Sequence, residues 1–229
     1  MILEICANSY QSAKNAQDAG AHRIELCQEL SVGGITPSYG LLKKVVGEID
    51  IPVFVLIRPR SGNFVYTDDE FQIMKNDIQL CKDLGYKGIV SGILKADRTL
   101  DVQRTQTLID LAKPLSFTFH RAFDEIKNPK EALLQLIDMG ADRVLTSGQK
   151  ATAEEGLELL KELHSIAENK LTIIAGGGVS EENVMLFKEV GLIEVHASAS
   201  TTKEASNSMF SMPITFSDLI KIKAILDAI

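Results

Sequence analysis

Polar residues with chemically useful side chains recur at every second position in three short segments of the chain. These residues are Glu4 and Cys6 in the first segment, Arg23, Glu25 and Cys27 in the second, and Glu194, His196 and Ser198 in the third. Because successive side chains of a β-strand point to opposite faces, each set shares one face of a predicted strand. Carboxylates, thiols and imidazoles gathered on one face could serve metal binding or proton transfer.

The cysteines are the first candidates for a metal site. Cys6 and Cys27 end neighbouring predicted strands. Adjacent strands lie about 4.8 Å apart, so the two sulfur atoms are expected to approach each other. Two thiolates suit a soft ion such as Cu(I), and His196 or His120 could supply a third donor. The alternatives are a divalent ion held by glutamates and the same histidines in an epimerase-like site, and cysteines that are only small buried side chains.

A second group of residues predicts acid–base chemistry on an anion. Glu25 or Glu4 would act as the base and His120 as the acid. The predicted anion-binding residues are arginines, hydroxyls and glycines near strand ends, namely Arg58, Arg60, Arg121, Thr146, Ser147, Gly176, Gly177, Gly178 and Ser198. Amides of a glycine-rich loop after the seventh strand can approach a phosphate, and barrels often bind phosphate there. This pattern predicts an enzyme acting on a small anionic metabolite, phosphorylated metabolites included.

The same charges and glycines also have a structural interpretation. Buried carboxylates need cationic partners, and such a network inside a barrel would hold the strands in register. Its expected members are the carboxylates Glu4, Glu25 and Glu194 and the arginines Arg58, Arg60, Arg121 and Arg143. The three glycines could equally serve a tight turn. A further interpretation is a barrel whose main role is to bind another protein.

A repeated junction predicts the fold that brings these strand ends together. A helical stripe, a glycine and a short apolar run follow one another at Gly20, Gly85, Gly140 and Gly191, as expected where a left-handed glycine ends a helix before a strand. Eight strand–helix units can be traced, so the sequence predicts an α/β protein with a single (β/α)8 TIM-type barrel as one domain over residues 1–229. Residues 200–216 are predicted to form a loop before the last helix.

Composition limits the classes of partner. The 229 residues carry 24 lysines and arginines against 31 aspartates and glutamates, a net charge of −7, so a nucleic-acid partner is not expected. The uncharged stretches are too short and too polar to span a bilayer, and the first residues lack the form of a secretory signal, so no membrane partner is expected. Three cysteines without a CxxC motif suit a reducing compartment, which predicts a cytoplasmic protein. Of these, Cys81 is expected in the layer between helices and barrel.

Several of these segments, taken in chain order, resemble the CutC copper homeostasis family. The motifs that carry the resemblance are LEICANS at residues 3–9, RIELC at 23–27, GGITPS at 33–38, IRPRSGNFVY at 57–66, FHRAFD at 119–124, LTSGQ at 145–149 and EVHAS at 194–198. The resemblance covers residues 2–199. It implies a cytoplasmic TIM-type barrel that associates as a homodimer and handles intracellular copper as Cu(I). Cys6 and Cys27 match the positions of the family's metal-binding cysteines, while no particular reaction is implied.

Overall fold

A closed barrel of eight parallel strands, surrounded by helices, forms the body of the protein. The computed structural model describes residues 1–203 and 213–229. The barrel strands are β1 (Ile2–Ala7), β2 (Arg23–Leu26), β3 (Val53–Leu56), β4 (Gly88–Ser91), β5 (Ser116–Phe119), β6 (Arg143–Thr146), β7 (Thr172–Gly176) and β8 (Glu194–Ala197). The helices are α1 (Tyr10–Ala19), α2 (Tyr39–Glu48), α3 (Asp68–Leu84), α4 (Val102–Ala112), α5 (Pro129–Asp138), α6 (Leu157–Ala167), α7 (Val184–Glu189) and α8 (Leu219–Asp227). The predicted (β/α)8 barrel is confirmed. Among the described helices, none combines the length and the apolar character needed to cross a membrane.

Local capping devices decide where the helices end. Gly20 and Gly85 follow α1 and α3 with φ of +94° and +86°, and their N–H groups donate to carbonyls of the preceding turn. Only glycine adopts this conformation without strain, which explains the repeated glycine at these junctions. Thr67 and Glu70 form a capping box at the start of α3. The two glycines shape loops that lead into strands at the N-terminal end of the barrel, whereas the capping box ends the loop after β3, at the barrel mouth.

Side chains that alternate along each strand point either outward, into the layer between barrel and helices, or inward, into the lumen of the barrel. Leu3 and Ile5 of β1 are fully buried in the layer between barrel and helices, together with Cys81 of α3. Cys6 of the same strand belongs to a smaller cluster inside the barrel, which also contains Cys27, Phe54, Leu56 and Val90. Hydrophobic burial stabilises the outer layer, whereas the polar residues of the lumen must satisfy one another.

An ion-pair network occupies the lumen around the starts of β2, β6 and β8. Arg23 Nε donates to Glu4 Oε2 at 2.5 Å, and Arg23 Nη2 donates to Glu194 Oε2. Arg143 Nε lies 3.2 Å from the same Glu194 oxygen. Arg23 and both carboxylates are almost completely buried. Two carboxylates therefore share one central guanidinium, which offsets part of the cost of burying their charges.

The prediction that Arg58, Arg60 and Arg121 neutralise the lumenal carboxylates is wrong. These arginines follow β3 and β5, so they lie at the C-terminal end of the barrel and bind groups of the loops there. Of the four predicted cations, Arg143 alone joins the network, through Glu194. The strand position of each arginine, and not its charge, decides which partner it reaches.

The segment after β8 contains two strands where a loop was predicted for residues 200–216. Strands β9 (Ser200–Lys203) and β10 (Ile214–Ser217) pair antiparallel. The β10 strand is tied to the start of α1, since Ser217 N–H donates to Ser12 Oγ at 3.0 Å and Asn8 Nδ2 donates to the Thr215 carbonyl at 2.9 Å. The loop prediction is wrong at both ends because backbone pairing stabilises β9, which is polar, and β10, whose alternation of apolar and polar residues spans only four positions. Residues 204–212 of the predicted loop lie outside the described residues.

Candidate functional site

The two lumenal cysteines lie in contact at the C-terminal end of the barrel. Cys6 is opposite Glu25 in the register of β1 and β2, and the N–H of Cys27, just past β2, donates to the Ala7 carbonyl at 2.9 Å. This stagger brings the two Sγ atoms to 3.6 Å, and both side chains are buried. The hydrogen bond between Cys6 and Cys27, together with burial, raises the pKa of the Cys6 thiol well above its ordinary value. The cysteines are therefore held as a close pair in which Cys6 stays protonated.

His196 and Glu25 complete a compact group of potential metal ligands with Cys6. One ligand atom from each of these three residues lies within 4.8 Å of the others. Glu4 fixes the orientation of the His196 ring, because His196 Nδ1 lies 2.8 Å from Glu4 Oε1. The His196 side chain is 12% exposed. Burial lowers the pKa of His196, but contacts with Cys6 and Glu4 and the charge of Glu25 outweigh burial and raise it well above the usual value. A carboxylate that orients a histidine in this way is common behind metal-binding histidines.

The two glutamates of the site have opposite character. Burial would raise the pKa of Glu4, but the charges of Arg23 and His196 and their hydrogen bonds lower it to about 2. Burial dominates at Glu25 and raises its pKa to about 7, and its Oε2 accepts no hydrogen bond from any described residue. Glu4 is thus a permanent anion with a positioning role. Glu25 is a carboxyl group that can change its protonation state near neutral pH.

A cavity of about 450 Å³ opens above this group at the barrel mouth. Its size is within the range of small-molecule sites, which is roughly 300–1,000 Å³. The predicted site residues that line it are Cys6, Glu25, Arg58, His120, Arg121, Gly177, Gly178, His196 and Ser198. The predicted residues that do not line it are Glu4, Cys27, Arg60, Thr146, Ser147 and Gly176. The structure therefore brings together most residues of the metal and anion predictions in one place.

Arg58 holds the loops around the cavity. Its guanidinium donates to the carbonyls of Val32, Gly34 and Gly62 at 2.7–2.8 Å, and it stacks over the Phe64 ring. Gly34 has a φ of +85°, and a Cβ there would lie 3.2 Å from Cys27 Cβ. The loop that Arg58 fixes therefore covers Cys27, which explains why Cys6 lines the cavity and Cys27 does not.

Arg60 points away from the cavity. Its Nε donates to Glu70 Oε1 at 2.5 Å, and its Nη2 donates to the Val65 carbonyl at 2.8 Å. These partners belong to the loop before α3 and to its first turn. Arg60 is thus engaged in fixing the entry of that helix.

His120 is a neutral histidine in the wall of the cavity. Burial, with the nearby charge of Arg58, lowers its pKa to about 3. Its Nδ1 accepts the N–H of Ala122 at 3.2 Å, so the proton of the neutral ring is on Nε2. That Nε2 is buried and has no partner among residues 1–203 and 213–229. His120 can therefore donate a hydrogen bond to a bound molecule.

Asp124 organises the opposite side of the mouth, a role that residue types alone do not reveal. It accepts hydrogen bonds from Arg121 Nε at 2.8 Å, from Thr146 Oγ1, from Ser147 N–H at 3.0 Å and from Gln149 N–H at 3.1 Å. Thr146 and Ser147 are fully buried against it. Their hydroxyls thus support the loop after β6 and the position of Arg121. The motif FHRAFD, which contains Asp124, was the available signal.

Known proteins resemble this chain along most of its length. The sequence model of the CutC family matches residues 1–201. A CutC family protein of Photorhabdus laumondii is 48% identical over 198 residues, covering 86% of this chain and 79% of that protein. A CutC family protein of Pasteurella multocida is 48% identical over 199 residues, covering 86% and 82%. The crystal structure of a copper homeostasis protein CutC from Streptococcus agalactiae is 35% identical, with a TM-score of 0.82 over 86% of this chain and 98% of that chain. Thiamine phosphate pyrophosphorylase of Pyrococcus furiosus, 14% identical with a TM-score of 0.62 over 99% of this chain and 94% of that chain, shares the fold alone.

Proposed function

We propose that this chain, which belongs to the CutC family, binds Cu(I) at the C-terminal mouth of its barrel. The ligands would be the sulfur atoms of Cys6 and Cys27, with His196 as the third donor. The observation that carries the proposal is the pair of buried sulfur atoms 3.6 Å apart, with an imidazole held beside them.

The chemistry of the donors supports a soft ion. Thiolates select Cu(I), which accepts two or three ligands, whereas a closed zinc site takes four. Glu25 could serve as a fourth, harder donor, so competition between metals is part of the test. Because the Cys6 thiol is protonated in the metal-free protein, Cu(I) binding would release protons. Glu4 would keep His196 oriented during binding, since it holds the other ring nitrogen.

The same proposal includes a reducing location for the protein. All three cysteines are free thiols, as expected of a cytoplasmic protein that handles copper in its reduced state. Association as a homodimer stays a prediction from the family.

Copper stoichiometry tests the proposal. Anaerobic titration with Cu(I) against a chromophoric chelator should give about one Cu(I) per chain, because one sulfur pair offers one site. The Cys6→Ser, Cys27→Ser double variant should lose this binding. The matched control is Cys81→Ala, which removes the third cysteine from the helix layer and should bind Cu(I) as the wild type does. Equal binding by the double variant, or Zn²⁺ binding that Cu(I) does not displace, would contradict the proposal.

A second candidate function is an enzyme that acts on a small anionic molecule. The observation that favours it is the carboxyl group of Glu25, with a pKa of about 7, in the wall of a cavity of about 450 Å³. His120 lies in the same wall, and its Nε2 has no partner in the part of the chain that the structure describes. A base poised near neutral pH and a neutral imidazole that donates a hydrogen bond suit removal of a proton next to a carbonyl group.

Deuterium exchange tests this second function. The protein is incubated in D₂O with a panel of sugar phosphates and keto acids, and exchange of carbon-bound protons is followed by NMR. Glu25→Gln should abolish any exchange, while Arg60→Ala should leave it unchanged because Arg60 does not line the cavity. Exchange that persists in Glu25→Gln, or none with any compound of the panel, would count against the enzyme.

A further inference from the structure

The structure assigns an anion subsite to one side of the cavity, formed by the backbone N–H groups of Gly177, Gly178, Val179 and Ser198 together with the guanidinium of Arg121. We infer that it holds the phosphate or carboxylate group of a small organic molecule. This inference deepens the second proposed function by naming the substrate class, and it is independent of the copper proposal.

Four backbone N–H groups at the cavity have no acceptor among the described residues. Gly177 and Gly178 follow the end of β7 with φ of +114° and +76°, a conformation that favours glycine. Within the described part of the chain, the N–H groups of Gly177, Gly178, Val179 and Ser198 donate no hydrogen bond. All four residues line the cavity. Consecutive amides of this kind form concave sites that bind anions.

Two hydrogen bonds fix the guanidinium of Arg121 beside these amides. Its Nε donates to Asp124 Oδ2 at 2.8 Å and its Nη2 donates to Ser147 Oγ at 2.8 Å. Its Nη1 has no partner among the described residues and lies 3.4 Å from the position that a Cβ on Gly177 would occupy. The guanidinium is therefore oriented in advance, and its Nη1, which no described residue binds, lies beside the glycine loop. Charge-assisted hydrogen bonds from such a group are the strong ones for phosphate and carboxylate.

The glycines are also needed for this approach. A side chain at Gly177 would come within 3.3 Å of Ser147 Cβ and would fill the space beside the guanidinium. The charge of Asp124, which would otherwise repel an anion, is compensated by Arg121 and by the N–H groups of Ser147 and Gln149. Both features favour an anion-binding role for these glycines over a purely structural role in a tight turn.

The far side of the cavity indicates an organic molecule. Glu25 Oε2 and His120 Nε2 are buried, line the same cavity and have no partner in residues 1–203 and 213–229. Buried polar atoms are normally satisfied, so these two are available to hydrogen-bond either to water or to groups of a ligand that enters the cavity. A hydroxyl could donate to Glu25, and a hydroxyl or carbonyl oxygen could accept from His120. A phosphorylated or carboxylated molecule that carries such oxygens would satisfy both sides.

Anion titrations test the subsite. Binding of inorganic phosphate, of acetate and of glycerol 3-phosphate is measured by calorimetry, with chloride at matched ionic strength as the reference. We expect saturable binding of phosphate or acetate and tighter binding of glycerol 3-phosphate, which adds hydroxyls. Arg121→Ala should weaken binding by at least about tenfold, and Arg121→Lys by less, because lysine keeps the charge without the fixed fork. The matched control is Arg60→Ala, which removes a similarly exposed, carboxylate-paired arginine outside the cavity and should bind as the wild type does.

Three results would overturn the inference. The first is that phosphate and acetate show no saturable binding beyond that of chloride. The second is that both Arg121 variants bind these anions as the wild type does. The third is that Arg60→Ala and Arg121→Ala lose anion affinity equally. A far-UV circular dichroism spectrum checks that each variant is folded. If Arg121→Ala is not folded, Arg121→Lys takes its place in the comparison. Anion binding that depends on Arg121 without any deuterium exchange would refute the enzyme and leave the subsite standing. Exchange without such binding would refute the subsite alone.

Discussion

Replacing Arg23 by methionine should destabilise the protein more than any exchange of a surface cation. Methionine has a similar length and no charge, so the variant removes the guanidinium and keeps much of the volume. Arg23 is 5% exposed and is the cation shared by Glu4 and Glu194. Without it, the charged partners that remain among the described residues are His196 for Glu4 and Arg143, at 3.2 Å, for Glu194.

The magnitude follows from the burial of the two carboxylates. Removing one partner of a buried ion pair costs about 3 to 5 kcal/mol, because the remaining charge has lost its hydration and its partner. For a chain of this size, such a loss corresponds to a melting temperature lower by roughly 6 to 20 °C. Adding Glu4→Gln to Arg23→Met should recover about half of the loss, since it neutralises the more buried of the two carboxylates.

Urea unfolding gives the free energies of unfolding for the wild type, Arg23→Met and the double variant. The control is Lys130→Met, which breaks the exposed pair with Glu162 and should change stability little. A loss for Arg23→Met as small as that for Lys130→Met would refute the argument that the buried network requires this cation. A double variant less stable than Arg23→Met would refute the argument that the buried charge of Glu4 depends on Arg23.

Two further predictions concern residues around the candidate metal and cavity. Glu4→Gln should lower the affinity for Cu(I) by about 10- to 100-fold without changing the number of Cu(I) ions bound per chain, because an amide orients His196 less firmly than the carboxylate does. Competition with a chelator measures this affinity. Equal affinities of Glu4→Gln and the wild type would contradict the prediction. The pKa of His120 is about 3 in the folded protein, against 6.5 for an ordinary histidine. As the pH falls, His120 is therefore protonated first in the unfolded chain. The free energy of unfolding should decrease between pH 6.5 and 3 by roughly 4 to 5 kcal/mol. The slope of unfolding free energy against pH over this range should therefore be smaller in His120→Asn, and an unchanged slope would show that His120 is not buried in its neutral form.

The barrel and the lumenal position of the cysteines could be predicted because local signals encode them. Glycines such as Gly20 and Gly85 end helices through their own backbone conformation, and the alternation of side chains places Glu4 and Cys6 on one face of β1. Neither signal depends on distant parts of the chain. The close approach of Cys6 and Cys27 was expected on the same basis, and the 3.6 Å separation agrees with it.

Partners set by the ends of long side chains could not be predicted in this way. Arg58 was expected to meet a carboxylate, but its guanidinium reaches the carbonyls of Val32 and Gly34 in a neighbouring loop. Arg60 meets Glu70, ten residues further along the chain. A side chain with several rotatable bonds has many possible partners, and the loop conformations that select one of them depend on the whole fold.

Turn chemistry and side-chain alternation are local properties, so they were enough to predict the eight strand–helix units and the residues that face the lumen. They also predicted the thiols, imidazoles, carboxylates and glycines at the barrel mouth. The closed barrel was needed to distinguish Glu4, a fixed anion, from Glu25, which is poised near neutral pH. The difference arises from Arg23, which contacts Glu4 and not Glu25 across the barrel. Burial is the same for the two glutamates, and the nearest charge makes the difference.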